Sequence, residues 1–239
     1  MARGGKRTLA VRSECQSILQ IYDLLHAHFG DLHWWPGDSP FEVIVGAILT
    51  QNTSWRNVER AIANLKRESL LDPKRLLQTD GEILSRLIRS SGYHALKTKR
   101  LKAFCRFLCE VYGGSLDRMF REDTGELRNR LLAVNGIGEE TADSILLYAG
   151  NKPIFVVDAY TRRILQRLGL IASGVSYARI QDFFMTRLPP DASLYNQFHA
   201  LFVNTGKTFC RTSPRCDGCP LNGLAITTTL QPFSLGRLP

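Results

Sequence analysis

Hydrophobic residues recur along most of the chain at the three- and four-residue spacing that is typical of amphipathic helices. The spacing predicts helices over residues 17–25, 41–49, 58–65, 76–88, 97–111, 124–132, 141–148, 158–168, 177–184 and 194–205. Glycines such as Gly30, Gly92 and Gly150 lie between these segments and mark helix ends. The apolar run over 154–157 is strand-like but too short to found a sheet. The pattern therefore predicts an all-α fold.

Charge and composition narrow the partner and the compartment. Lys and Arg number 31 against 22 Asp and Glu, which gives a net charge of +9. Such an excess favours a polyanionic partner. No apolar run approaches the about 20 residues that a membrane span needs. The basic start of the chain lacks the apolar stretch of a secretory signal. We therefore expect no membrane partner and a cytoplasmic location.

Half of the six cysteines cluster towards the end of the chain, at Cys210, Cys216 and Cys219. The others are scattered through segments predicted as helical, where a free thiol is usually a small buried hydrophobe. In a chain without an export signal, such a cluster indicates metal ligation before it indicates disulfides.

The segment 132–146 contains a tight turn between two predicted helices. Gly136 and Gly138 allow the backbone to turn sharply, and Ile137 between them fills the junction. The N–H groups of such a turn, with the N-terminus of the second helix, form a site for a phosphate oxygen. This grip is independent of base sequence. A Gly-x-Gly by itself is more often a simple turn between helices.

Asp158 follows the apolar run 154–157 and opens a helix. By itself this position favours a helix N-cap, which is worth typically about 1 kcal/mol. The turn and this Asp together, however, resemble the helix-hairpin-helix DNA glycosylases of the endonuclease III superfamily, over nearly the whole chain.

The resemblance implies two helical lobes with the active-site cleft between them. A terminal lobe of residues 1–31 plus 153–239 carries Asp158 and the cysteine loop. A helical barrel lobe of residues 32–152 ends in the helix-hairpin-helix, and the turn at 150–153 is the candidate hinge. The family also implies a monomer that acts on double-stranded DNA containing damaged bases, at the nucleoid.

The resemblance assigns several residues to DNA contact. The segment around Gln51 and Asn52 is similar to the one that wedges into the duplex, with Gln51 expected to fill the vacated space and Asn52 as the runner-up. Gly92, Lys97 and Lys99 resemble part of a second backbone-contacting hairpin. The first hairpin contributes Gly136, Ile137, Gly138 and Thr141. A run of cations either tracks phosphates or forms a solvated helix face; it comprises Lys97, Lys99, Arg100, Lys102 and Arg106.

One departure from the family pattern bears on mechanism. Bifunctional members carry a hairpin Lys that attacks the sugar, and the matching position here is Glu140. A carboxylate cannot form a Schiff base, so we expect no lysine-type strand cleavage. The monofunctional route remains, in which Asp158 stabilises the oxocarbenium-like sugar or activates water. Glu140 is a second candidate for a catalytic role.

A second departure lies in the cysteine loop. Cys210, Cys216 and Cys219 resemble three of the four ligands of the family's 4Fe–4S cluster. The fourth belongs near Ala225, and no Cys follows Cys219. The alternatives are a 4Fe–4S cluster with a substitute ligand or a Cys from elsewhere, a zinc site, and a degenerate loop held only by packing.

The tryptophans favour one branch of the family. Trp34, Trp35, Pro36 and Trp55 match residues beside the flipped base in the 3-methyladenine DNA glycosylase III branch. Alkylated purines are cationic, and indole faces attract cations by roughly 0.5–2 kcal/mol. Lys207 borders the pocket by the same resemblance, although a surface charge is the simpler interpretation.

The predicted function is therefore a monofunctional DNA N-glycosylase of base excision repair. It would release alkylated purines such as 3-methyladenine, with Asp158 as the catalytic carboxylate. One alternative is an endonuclease III-like enzyme for oxidised pyrimidines or mismatched uracil and thymine. Another is a non-catalytic DNA-binding module, against which the presence of Asp158 argues.

Overall fold

The computed structural model describes residues 18–224. This part of the chain forms helices and no strand, which confirms the predicted all-α fold. The first helix, α1, runs through residues 18–29. The others are α2 (Pro40–Leu49), α3 (Trp55–Arg67), α4 (Pro73–Gln78), α5 (Gly81–Leu87), α6 (His94–Tyr112), α7 (Leu116–Phe120), α8 (Thr124–Leu132), α9 (Glu139–Ser144), α10 (Ala159–Arg167), α11 (Tyr177–Met185) and α12 (Ala192–Thr208). A 3₁₀ turn at Arg89–Ser91 precedes α6, and a π-helical turn at Ile145–Ala149 follows α9.

One predicted helix is divided in the structure. The segment 76–88 contains the end of α4 and the whole of α5. The break occurs because the Asp80 carboxylate accepts hydrogen bonds from the N–H groups of Glu82 at 2.8 Å and Ile83 at 3.1 Å. This arrangement caps a new helix start. A single helix over 76–88 is therefore the wrong prediction.

The described chain forms two compact units, of which the first is Trp35–Lys152. Helix α2 lies in its core, with every residue from 41 to 49 buried. A helix that is apolar on nearly all sides, with Glu42 as its one charged residue, requires such a position. Its start is fixed by Ser39, whose Oγ accepts a hydrogen bond from the Glu42 N–H at 3.2 Å. Helix α6 packs against α2, α4 and α5.

The second unit, called the terminal unit below, contains the described residues up to Trp34 and those from Pro153 onward. Its core is largely aromatic. Phe155 stacks on Phe184 with 4.0 Å between ring centroids, and Phe198 stacks on Phe202 at 4.8 Å. Large apolar rings of this kind contribute much of the buried area of a small core.

The apolar run 154–157 is buried in the terminal unit in an extended form, without a partner strand among the described residues. Side chains satisfy part of its backbone instead. The Phe155 carbonyl accepts a hydrogen bond from Gln181 Nε2 at 2.7 Å, and the Val157 N–H donates to the Tyr177 hydroxyl at 3.2 Å. Buried peptide groups need such partners. The run delivers Asp158 to the start of α10.

Candidate active site and nucleic-acid interface

The hairpin between α8 and α9 uses its two glycines differently. Gly136 has a φ of +85°, in the region that glycine adopts most readily. A Cβ atom added there would lie 2.3 Å from Cγ of Arg100, whereas one added to Gly138 would meet no atom within 4 Å. Ile137 between them is buried. Gly136 is therefore required by the protein's own packing, and Gly138 leaves an open approach to the backbone.

A buried ion pair joins the two helices of the hairpin. Arg128 of α8 donates from Nε to Asp143 Oδ1 at 2.7 Å and from Nη2 to Oδ2 at 3.1 Å. The Asp143 side chain has no exposed area. Bidentate pairs of this kind fix orientation as well as distance. Sequence reasoning missed this pair because both residues look like ordinary polar positions of short helices.

The loop between α2 and α3, residues 50–54, is called the wedge loop below. Gln51 Nε2 donates to the Gly136 carbonyl at 3.1 Å and to Thr141 Oγ1 at 2.9 Å. Arg100 donates from Nη1 to Gln51 Oε1. Asn52 is exposed and has a φ of +55°. The structure thus brings Gln51 together with the hairpin residues that were predicted to contact DNA, and leaves Asn52 at the surface.

Lys97 is a correction to the predicted set of phosphate contacts. Its side chain is only 1% exposed, and its Nζ donates to the carbonyls of Leu49 at 2.9 Å and Ser91 at 2.6 Å. Burial, with a smaller contribution from Arg100, lowers the pKa of Lys97 to about 8. In this position the ammonium group serves the protein's own backbone and cannot meet a phosphate.

The remaining cations of this run also differ in whether their side chains face the solvent or bond to the protein itself. Lys99 and Arg106 are exposed on α6, as a phosphate contact requires. Lys102 donates to the Thr79 carbonyl, beyond the end of α4. Gly92, with a φ of +69°, precedes α6. The members of the run that remain candidates for phosphate contact are therefore the exposed Lys99 and Arg106.

An aromatic cluster forms within the Trp35–Lys152 unit. The Trp35 ring lies 5.2 Å from that of Trp55, edge to face, and 5.0 Å from that of Tyr148. Gly46 makes room for the cluster, since a Cβ there would lie 3.3 Å from atoms of both indoles. Tyr148 was missed by sequence reasoning. It lies in the π-helical turn, a feature frequent at functional sites. Pro36 is exposed beside Trp35 in the chain.

Trp34 belongs to the terminal unit and meets another predicted residue there. Nζ of Lys207, in the last turn of α12, lies 5.3 Å from the centroid of the Trp34 ring. This is within the distance of a cation–π contact. Lys207 is therefore a partner of Trp34 as well as a surface charge.

Asp158 begins α10 as its N-cap, as the sequence predicts. Its Oδ1 accepts a hydrogen bond from the Thr161 N–H at 2.7 Å, and its Oδ2 lies 3.7 Å from His199 Nε2. His199 is buried, and burial lowers its pKa despite the opposing influence of Asp158. The neutral imidazole therefore predominates near pH 7. Sequence reasoning missed His199, which lies on the buried face of α12 without a motif around it.

Glu140 occupies the first turn of α9 and is exposed. Its main-chain carbonyl accepts a hydrogen bond from Ser144 Oγ at 2.7 Å. An acidic residue in this turn is favourable for the helix dipole, so its position has a structural explanation in addition to any chemical one.

The cysteine loop brings three thiols to one cavity. Cys210, Cys216 and Cys219 line a cavity of about 300 Å³. Among residues 18–224, however, no three His, Cys, Asp or Glu side chains are grouped so that they could hold a metal ion. Arg167 Nη1 also donates to Cys210 Sγ at 3.3 Å. The described residues do not fit a four-cysteine cluster; Ala225 and Cys15 lie outside them.

Arginines of α10 hold this loop instead. Arg163 Nε donates to the Cys210 carbonyl at 2.7 Å. Arg167 donates from Nη1 to the Arg211 carbonyl at 2.6 Å and from Nη2 to the Thr212 carbonyl at 2.9 Å. These bonds link the start of the loop to a regular helix.

One class of DNA repair glycosylases is defined by a helical architecture, a glycine hairpin, and an Asp that caps a helix after a buried apolar run. The chain belongs to the HhH-GPD superfamily of base excision DNA repair proteins, whose family model matches residues 45–190. The predicted family is thereby confirmed, as is the broad function of a DNA repair glycosylase. No helix of the described chain is long and apolar enough to cross a membrane.

Individual relatives agree with this assignment. A predicted DNA repair glycosylase of Methanocaldococcus jannaschii is 47% identical, over 89% of this chain and 97% of its own. Endonuclease III of Sulfolobus acidocaldarius is 30% identical over 75% of this chain and 78% of its own. The H. pylori 3-methyladenine DNA glycosylase MagIII, solved with 1,N6-ethenoadenine, is 28% identical with a TM-score of 0.68, covering 81% of this chain and 97% of its own.

Proposed function

We propose that this protein is a monofunctional DNA N-glycosylase that extrudes and releases alkylated purines, such as 3-methyladenine, from double-stranded DNA. The aromatic cluster of Trp35, Trp55 and Tyr148 carries the proposal, because it gathers electron-rich rings around a glycine that leaves space for them. The similarity to a 3-methyladenine glycosylase solved with an ethenoadenine base supports the same substrate class.

Cationic purines suit such a cluster. Alkylation at N3 or N7 places a positive charge on the base, and aromatic faces attract that charge by roughly 0.5–2 kcal/mol. Stacking adds about 1–3 kcal/mol for a flipped base. The base leaves as a neutral molecule, so the enzyme needs little acid assistance. Trp34, Pro36 and Lys207 are the further residues proposed to border the base.

Asp158 is the proposed catalytic carboxylate. The Thr161 N–H holds one of its oxygens, which fixes the orientation of the group at the start of α10. As the glycosidic bond breaks, its electron pair leaves with the purine and the sugar becomes cationic; water then adds at C1′ and gives up a proton to Asp158 or to the solvent. Since the neighbouring His199 is neutral, it adds no positive charge that would compete with the cationic sugar for this carboxylate.

Glu140 separates this enzyme from lyases that use a hairpin lysine. Its carboxylate offers no amine for a Schiff base, so the proposal predicts an intact sugar–phosphate backbone after base release. Its negative charge is proposed to attract the cationic base before the glycosidic bond breaks, and it costs nothing to a base that leaves neutral.

The DNA is proposed to be gripped through its backbone by the hairpin and by exposed cations. Gly138 offers an open approach to main-chain N–H groups, and Lys99 lies exposed on α6. Gly136, Ile137 and Thr141 shape the hairpin, Gly92 starts the second contact, and Gln51 or Asn52 fills the space left by the extruded nucleotide. The enzyme is proposed to act as a monomer at the nucleoid.

Base release by Asp158 needs no iron–sulfur cluster. Endonuclease III enzymes are among the relatives, and their resemblance motivates the 4Fe–4S expectation. The hydrogen bonds from Arg163 and Arg167 to carbonyls of the cysteine loop support instead a loop whose fold is independent of iron.

Base release from methylated duplex DNA tests the proposal, with Asp158→Asn beside the wild type. The expected result is free 3-methyladenine, strands that stay intact without alkali, and a loss of about 10²–10⁴-fold in Asp158→Asn. DNA binding should survive the substitution. Release of oxidised pyrimidines instead would favour the endonuclease III-like alternative, which the 30% identity to those enzymes supports. Binding without any release would favour a DNA-binding module.

A further inference from the structure

Side chains of helix α6 form hydrogen bonds to the wedge loop and to the residue before it. Lys97 Nζ donates to the Leu49 carbonyl, at the last residue of α2 directly before the loop. The same ammonium donates to the Ser91 carbonyl, directly before Gly92. One buried cation therefore joins the two segments that the sequence pattern associates with DNA contact. The last carbonyls of a helix accept such donors readily.

Arg100, one turn further along α6, holds the other part of the loop. Its Nη1 donates to Gln51 Oε1, and its side chain fills the space that a Cβ at Gly136 would occupy. Gln51 in turn donates from Nε2 to the Gly136 carbonyl and to Thr141 Oγ1. The amide of Gln51 is thus oriented at both ends, by a cation on its oxygen and by hairpin acceptors on its nitrogen.

We propose that Lys97 and Arg100 are positioning residues for extrusion of the target base, acting on the wedge loop rather than on phosphates. The inference rests on the proposed function, because it concerns the extrusion step that precedes base release. Extrusion costs a few kcal/mol of lost stacking and pairing. A loop that is already ordered inserts without a further loss of conformational entropy, so pre-organisation favours the extruded state.

The direction of each side chain distinguishes positioning from phosphate contact. Lys97 shares the buried face of α6 with Leu101, Phe104 and Leu108. Lys99, two residues away, is exposed. The two lysines have the same charge and chemistry and differ in which way they face, so Lys99→Met is a matched control for Lys97→Met.

The first experiment compares base release from two substrates. In one, the alkylated purine is paired within a duplex; in the other, it lies in an unpaired bubble, where little extrusion is needed. Lys97→Met and Arg100→Met should lose about 10²-fold on the paired substrate and much less on the bubble. Equal losses on both substrates would overturn the inference, since they would indicate general damage to the protein.

Salt dependence gives a second, independent readout. For Lys99→Met the slope of log K against log salt should fall by about 1, as for the loss of one phosphate contact. For Lys97→Met the slope should stay at the wild-type value. A reduced slope in Lys97→Met would mean that this lysine contacts DNA and would overturn the inference. Arg100→Met keeps the test available if Lys97→Met does not fold, as judged by thermal melting.

A fluorescence measurement separates this inference from the proposed function. A 2-aminopurine placed beside the target position brightens when the neighbouring base is unstacked. With Asp158→Asn as the background, Arg100→Met should abolish the brightening, and an unchanged signal would overturn the inference. Failure of the wild type to release base from either substrate would overturn the proposed function alone.

Discussion

The hairpin of the Trp35–Lys152 unit and the cysteine loop of the terminal unit are both irregular segments held by arginine side chains. At the hairpin, Arg128 forms a bidentate pair with an Asp143 side chain that has no exposed area. At the cysteine loop, Arg167 donates to loop carbonyls from an exposed position. Both regions are held by arginine, but the arginine of the hairpin bonds to a buried carboxylate and the bonds of Arg167 in the cysteine loop are exposed. Because water competes for exposed bonds, the hairpin should be rigid and the loop only weakly held.

The largest expected effect is on the hairpin pair. Arg128→Met leaves a buried carboxylate without its cation, so the free energy of unfolding should fall by about 3–5 kcal/mol. Urea unfolding measures the change. Arg130→Met is the control, because Arg130 pairs with Glu122 at 3.2 Å in a more exposed position and should contribute at most about 1 kcal/mol. A similar loss of unfolding free energy in the two variants would show that burial does not make the Arg128 pair stronger than the exposed one.

The two hairpin glycines should respond differently to the same added methyl group. Gly136→Ala must place a side chain at positive φ and against Arg100, so a stability loss of about 1–3 kcal/mol is expected. Gly138→Ala meets open space and should alter stability by no more than about 0.5 kcal/mol. Its effect should appear instead as weaker binding to duplex DNA, measured by fluorescence anisotropy. Unchanged binding in Gly138→Ala would argue against the proposed backbone contact.

The cysteine loop should depend more on arginine than on thiols. Arg163→Gln removes the donor to the Cys210 carbonyl and should lower stability by about 1 kcal/mol. Cys216→Ser, at an exposed position, should cost less. Metal analysis of the purified protein should find no stoichiometric iron. Four irons for each chain, together with unfolding of the cysteine loop in Cys216→Ser, would show that a ligand outside the described residues completes a cluster.

The smallest expected effect is a pH dependence at His199. Its pKa is lowered in the folded protein, by burial first, relative to about 6.5 in the unfolded chain. The folded state therefore binds fewer protons between these two values. The stability from this site is present above about pH 6.5 and is lost as the pH falls through the folded pKa. Thermal melts of wild type and His199→Gln should converge on acidification; parallel curves would contradict the shift.

Helical spacing predicted most of the fold because burial of one helix face leaves a direct record in the sequence. This spacing does not reveal a short break between helices or a local change of helix type. The cap at Asp80 divides a segment in which apolar residues stop at Leu77 and resume at helical spacing from Ile83. The π-helical turn at Ile145–Ala149, which contains Tyr148, likewise leaves no mark in the apolar pattern.

Only the parts of the candidate site that belong to a local sequence motif could be predicted. Hairpin and N-cap follow from local residue types, so Gly136 and Asp158 could be identified from the sequence. The direction of a side chain on a helix is also encoded, since Lys97 falls in the same spacing as Leu101 and Phe104, although its charge suggests an exposed position. The Arg128–Asp143 pair had no such signal, because partners across a turn depend on tertiary packing.

Gln51 is bonded to Gly136 and Thr141, which lie 85 and 90 positions away in the chain. Contacts of such long sequence separation form late, because the chain must close a long loop before they contribute. During synthesis Gln51 emerges well before the hairpin that orients it. We therefore expect the loop proposed to enter the duplex to be among the last parts of its unit to be completed in folding.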